Sequence, residues 1–177
     1  MSQKGFSLIE LLTGMAIAAI AVNVAVPPVT GLIESVSREN TARQLAGAMG
    51  HARTQAILRN QTVVIHGVEG DWSHGWNVIL DISGAGHEDK NNPVLSERYQ
   101  DGRVSIVGNR PVRQYVRFSS LGEPLLPGGA FQAGTLHICA REGGVSHHQV
   151  VLSRSGRVSL RSDKAEQALC SQQGTNA

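Results

Sequence analysis

The hydrophobic and polar positions divide the chain into three regimes. Behind a polar stretch at residues 1–5, residues 6–26 carry apolar or small side chains, with a single ionisable group, Glu10. Twenty-one such residues are about what an α-helix needs to cross a bilayer. A carboxylate at that depth is costly and calls for a partner. Pro27 and Pro28 follow and predict a kink or local break, because each removes a backbone donor. Residues 27–60 then resume a helical period. Leu32, Val36, Leu45, Met49, Ala52 and Ala56 mark one face, and Glu34, Arg38, Glu39, Arg43, Arg53 and Arg59 fall largely on others. The first turn signal is Asn60, so a helix reaching from residue 6 to about residue 60 is expected, ~80 Å long.

Beyond Asn60 the period changes from helical to alternating. Residues 61–68 and 76–82 predict a hairpin about the turn at Gly70-Asp71, and residues 83–93 form a loop by composition. Further strands are expected at 94–99, 103–107, 115–119, 135–140, 149–153 and 157–161. Short strands after one long helix predict an α+β domain: antiparallel sheets over residues 61–177, packed on the second half of the helix.

Charge adds an asymmetry. The 177 residues have a formal net charge of only +2. Residues 34–97 hold five basic and eight acidic groups, whereas residues 98–177 hold ten basic and five acidic ones. That C-terminal excess is nearly all arginine and marks either a solvated surface or a face for an anionic partner. Arg154, Arg157 and Arg161 concentrate it, with Arg141 and Lys164 near in sequence. On a strand, Arg157, Ser159 and Arg161 share a face.

Cys139 and Cys170 belong to no metal-ligand spacing. In a reducing compartment they read as two thiols; in an exported domain, as a disulfide closing a loop of about 30 residues. Seven histidines invite a search for metal chemistry. His147 and His148 are adjacent and on a strand face opposite ways, and His87-Glu88-Asp89 lacks the alternating oxygen ligands of a calcium loop. No nucleophile elbow, zinc-protease helix motif or phosphate-cradling loop occurs. The chain is expected not to be an enzyme and to need no metal or cofactor.

Lys4-Gly5-Phe6-Ser7-Leu8-Ile9-Glu10-Leu11-Leu12, with the apolar run behind it, resembles the prepilin signal of type IV pilins and type II secretion pseudopilins. The resemblance implies that a prepilin peptidase removes residues 1–5 by cutting between Gly5 and Phe6, and that Phe6 is then N-methylated. It further implies that residues 6–26 are retained, first as a single inner-membrane anchor with the rest of the chain in the periplasm, later in a filament core; in that oxidising compartment Cys139 and Cys170 are expected to form a disulfide. Glu10 then becomes an assembly residue, pairing with the α-amino group of a neighbouring subunit. Such a buried ion pair adds little net stability but penalises wrong register.

Two stretches of the second half narrow the likeness. Trp72-Ser73-His74-Gly75-Trp76-Asn77-Val78-Ile79-Leu80-Asp81 resembles a signature of the H-type pseudopilins and the FimT/FimU minor pilins. The segments Phe118-Ser119-Ser120-Leu121-Gly122 and Ser153-Arg154-Ser155-Gly156-Arg157-Val158 match too. A minor pilin that primes pilus assembly near the filament tip is the implied role, with other minor pilins and the major pilin as partners. A type II secretion pseudopilin is the alternative. DNA is a further candidate partner, since competence-type relatives carry Gly-Arg-x-Arg at this place. Here Gly156-Arg157-Val158 continues with Ser159, a departure from that motif.

Overall fold

The computed structural model describes residues 7–140 and 144–171, and the side chains of all of these except 22–29. The chain falls into two compact units, Met1–Ser37 and Arg38–Ala177. One helix, α1 (Leu8–Arg59), runs through both ranges. The helical backbone continues through Pro27 and Pro28, so the local break expected there does not form; the flanking turns keep the helix despite two missing donors.

In the first unit, the described apolar side chains of α1 are exposed on every side. Leu8, Ile9, Leu11, Leu12, Met15, Ile17 and Ile20 all lie in the open, as do Leu32, Ile33 and Val36. Leu32 and Val36 carry the same period as the buried helical positions further on, yet both are exposed. Among the described residues no helix is long and apolar enough to cross a membrane, and the span expected over residues 6–26 begins outside them.

The second unit is α+β, as the change of period implied. Ala42, Leu45, Met49, Ala52 and Ala56 recur at intervals of three and four residues, and all are fully buried. The alanines bring backbone close to the sheets, while Leu45 and Met49 fill the space between. The helix closes on Asn60 at φ 49°. Gln61 N–H donates to Ala56 C=O (3.1 Å) and Asn60 N–H to Ile57 C=O (3.2 Å), the paired bonds of a left-handed C-cap.

Among the described residues nine strands follow: β1 (Val63–Val68), β2 (Asp71–Leu80), β3 (Val94–Tyr99), β4 (Ile106–Gly108), β5 (Tyr115–Phe118), β6 (Gly134–Cys139), β7 (Val145–Leu152), β8 (Val158–Arg161) and β9 (Ala165–Glu166). A short helix, α2 (Ala168–Ser171), ends the described chain. They form two antiparallel sheets, ordered β3-β2-β1-β5 and β4-β6-β7-β8, with β9 added beside β7. Alternate residues of each sheet meet the helix face in one core. Val63, Ile65, Val78, Val116 and Phe118 come from the first sheet, and Ile106, Leu136, Ile138, Val150 and Leu152 from the second.

Both tryptophans of the 72–81 stretch are buried in this core. Trp72 Nε1–H donates to the carbonyls of Val112 (3.2 Å) and Arg113 (2.9 Å), satisfying its polar edge. Gly75 between them is where β3 crosses closest: a Cβ there would lie 1.9 Å from the Arg98 carbonyl oxygen. Ser73 Oγ accepts from Ile106 N–H (2.9 Å) and so ties β2 to β4. This motif is packing chemistry.

Candidate functional site

The positions singled out in the sequence resolve into three places. The first is the start of α1. Gly5 and Phe6 lie outside the described residues. Glu10 stands in the first turn of the helix, where its Oε2 accepts the Ser7 N–H at 3.0 Å, while Ser7 C=O accepts from Leu11 N–H. A carboxylate in a first turn satisfies a free donor and opposes the positive end of the helix dipole. Within the single chain Glu10 therefore acts as a cap, surrounded by exposed leucine and isoleucine side chains. Apolar surface of that extent marks contact with lipid or with other chains.

The second place is the far end of α1, where the two Ser-x-x-Gly turns meet. Ser119-Ser120-Leu121-Gly122 and Ser153-Arg154-Ser155-Gly156 adopt the same geometry. In each, the Gly N–H bonds the first Ser carbonyl (2.8 and 3.0 Å). In each the Ser Oγ accepts a later backbone N–H, from Leu121 and Glu123 in one and from Arg157 in the other. Gly122 and Gly156 both have φ +77°, a conformation in which glycine carries no Cβ penalty.

Arg53 joins the turns. Its Nε–H donates to Gly122 C=O (2.9 Å) and its Nη2–H to Ser155 C=O (3.3 Å). The helical period placed Arg53 among outward charges, and its partners are 69 and 102 residues away, so no local signal predicts the clamp. The repeated Ser-x-x-Gly spelling was the available clue that the two turns form a pair.

Arg154 and Arg157 sit on the second turn and Arg161 ends β8; all three are exposed. Val158 and Leu160 pack on the core from the other face of β8, which leaves Ser159 and Arg161 on the outer one, as the alternation required. Among the described residues none of the three arginines forms an ion pair. Arg141 lies outside the described residues, and Lys164 is exposed beyond β8.

The third place is the C-terminal segment. Cys139 at the end of β6 and Cys170 in α2 are joined by a disulfide with Cα atoms 5.5 Å apart. Beneath it lies a polar cluster: His137 Nδ1 meets Ser146 Oγ (3.2 Å), its Nε2 meets Gln167 Nε2 (3.2 Å), and Gln149 Nε2–H donates to Asp163 C=O (2.8 Å). Burial holds the His137 pKa below the ordinary histidine value of 6.5. A hollow of about 690 Å³ beside this segment is lined by Trp72, Arg110, Arg113 and Leu169. A second, of about 590 Å³, shares Arg110 and Arg113. Asp71 and Ser73 also line the first hollow, where Asp71 Oδ1 accepts the Ser73 backbone N–H (2.8 Å) and Ser73 Oγ accepts the Ile106 N–H (2.9 Å). Among the described residues no group of three or more His, Cys, Asp or Glu side chains is arranged to hold a metal ion.

Comparison with known proteins bears on the same regions. The sequence profile of the type II transport protein GspH family matches residues 41–156, from the buried face of α1 through the second Ser-x-x-Gly turn. The prokaryotic N-terminal methylation motif matches residues 1–22. No curated protein matches the chain. Two crystal structures of the type IV minor pilin FimU from Pseudomonas aeruginosa share the fold. One has a TM-score of 0.60 at 18% identity, over 78% of this chain and 98% of the other. The second crystal form gives 0.58 at 18% identity, over 75% and 98%.

Proposed function

The chain belongs to the type II transport protein GspH family and carries the N-terminal methylation motif, and from that premise we propose that it is a minor pilin that primes type IV pilus assembly near the filament tip. At the coarser level it is a pilin- or pseudopilin-type structural subunit of the GspH/FimU kind. The observation that supports the finer reading is the start of α1. A methylation motif leads into a helix whose first turn holds Glu10 and whose described apolar side chains from Leu8 to Ile20 are exposed all round.

In this mechanism the peptidase cuts after Gly5, and the new amino group of Phe6 is methylated. The helix rests in the inner membrane, with the folded domain in the periplasm. Assembly draws it into a bundle of like helices, where apolar side chains exchange lipid for protein. Glu10 then trades its cap on Ser7 for the terminal amino group of a neighbouring subunit. An unpaired charge in such a bundle is costly, so only the correct axial register is admitted. Other minor pilins and the major pilin are the partners.

Mass spectrometry of purified chain and quantitation of sheared filaments test this together. The mature protein should begin at N-methylated Phe6, and Glu10→Ala should be processed normally yet depleted from filaments at least tenfold. A Glu10→Ala chain recovered in filaments at wild-type levels overturns the assembly role. A deletion that abolishes protein secretion and leaves surface pili intact assigns the chain to a type II secretion pseudopilus.

A second reading, DNA reception by the pilus, draws support from Arg154, Arg157 and Arg161, which are exposed and form no ion pair among the described residues. Phosphate contacts by three arginines weaken steeply with salt. Gel-shift titration at two ionic strengths, with an Arg154→Ala/Arg157→Ala/Arg161→Ala variant, tests it; absence of binding at low salt removes the reading.

A further inference from the structure

The loop between β2 and β3 returns to the first sheet, where the His87 ring packs on Tyr115 of β5 with ring centres 4.9 Å apart. Asp81 and Asn92 pin that loop from its two ends. Gly86 N–H donates to Asp81 Oδ1 (3.0 Å), Ile82 N–H to Asn92 Oδ1 (3.1 Å), and Asn92 Nδ2–H to Gly86 C=O (2.8 Å). The loop carries a short 3-10 turn, Gly86–Glu88. From it His87 reaches to within 5.5 Å, centroid to centroid, of the His66 ring on β1, with the planes tilted by 33°.

That separation fits chelation. A late first-row metal bonds imidazole nitrogen at about 2.0–2.1 Å, which puts it roughly 3.2 Å from each ring centre; a tetrahedral angle then sets the centres about 5.2 Å apart. Two further observations point the same way. His66 Nδ1 lies 3.0 Å from the Gly67 carbonyl oxygen. A carbonyl only accepts, so Nδ1 carries the proton and Nε2 keeps its lone pair. Metal-binding histidines are commonly held in this way, by a backbone carbonyl on the other nitrogen. Asn77, the cross-strand partner of His66, has a buried Oδ1 with no hydrogen-bond partner. A buried acceptor without a donor calls for an unseen partner, and a metal-bound water supplies one.

We propose that His66 and His87 form a two-histidine site for a divalent late transition-metal ion of the Zn2+, Ni2+ or Cu2+ class. Water completes the coordination, and Asn77 Oδ1 accepts from it. The ion staples the loop over residues 82–92 to β1. Imidazole ligands suit these metals and not calcium or magnesium. Two protein ligands are fewer than a structural zinc site uses, so binding is weaker than in such a site and exchangeable.

Calorimetric titration of Zn2+ into the untagged full chain in detergent tests the site. One zinc per chain is expected at this place. His66→Ala or His87→Ala should weaken it at least tenfold, and His74→Ala, an exposed histidine of β2, should leave it unchanged. On the wild-type chain alone, Zn2+ should slow amide exchange across residues 82–92. The proposal is overturned if both alanine variants bind zinc as the wild type does, or if zinc leaves loop exchange unaltered. The exchange arm stays decisive even where a substitution perturbs folding.

Discussion

Replacing Gly156 by alanine probes the junction where the helix end holds the two turns together. A Cβ at this position would lie 2.3 Å from the Gly122 carbonyl oxygen and 2.8 Å from Arg53 Nε. The carbonyl is backbone and already accepts the Arg53 N–H at 2.9 Å, so neither neighbour can yield without loosening the other turn. Two costs add: about 1–2 kcal/mol for a side chain in a left-handed conformation, and about 1–3 kcal/mol for forcing a methyl into filled space. Gly129 separates them. Its φ is +82°, yet nothing lies within 4 Å of an added Cβ, so Gly129→Ala bears the conformational cost alone. Urea unfolding of the two variants should place Gly156→Ala about 1–3 kcal/mol below Gly129→Ala. Arg53→Ala combined with Gly156→Ala should then be less destabilising than the sum of the single changes, because both act on one contact. Equal stability of the two glycine variants would refute the claim that the turns are packed against each other through Arg53.

Three further outcomes follow from the same structure. Reducing the Cys139–Cys170 bridge, which spans a separation of 31 residues, should lower stability by roughly 3–4 kcal/mol on the loop-entropy model; limited proteolysis should then cut first within residues 163–171. Trp72→Phe should cost about 2–3 kcal/mol, because the Val112 and Arg113 carbonyls lose their shared donor and a small void opens; unchanged thermal stability would contradict this. Burial lowers the pKa of His137; for His147 burial leads and Arg38 and Lys164 add to it, and for His148 burial outweighs the opposing pull of Glu39. The unfolded chain therefore takes up protons first, so stability is full above pH 6.5 and falls as pH drops below it; a urea midpoint that rises between pH 7.5 and 5.5 would reverse the sign.

Much of this architecture could be read along the chain. The change from a period of three to four residues to a period of two at Asn60 located the end of α1 and the start of β1 together, since Asn tolerates the left-handed cap that stops the helix. Strands expected at 94–99, 115–119, 135–140 and 157–161 appear within a residue or two of β3, β5, β6 and β8, because Gly, Pro and Asn mark the turns between them. The N-terminal methylation motif over residues 1–22, with Glu10 inside it, was likewise legible, as it depends on composition and order alone.

Tertiary structure decided the rest. Leu32 and Val36 follow the same period as Leu45 and Met49, but the first two are exposed and the latter lie in the core; periodicity reports a face and not whether it is buried. Arg53 read as an outward charge and proved to be the link between two turns far away in the chain, since hydrogen-bond partners at such separations are set by strand order. The Cys139–Cys170 disulfide was expected only through the exported compartment that the N-terminal motif implies; the contact itself comes from β6 and α2 lying side by side. His66 and His87, on a strand and in a loop, likewise share no sequence spacing that announces a pair. Local chemistry wrote the elements, and the folding of two sheets around one helix face determined which side chains meet.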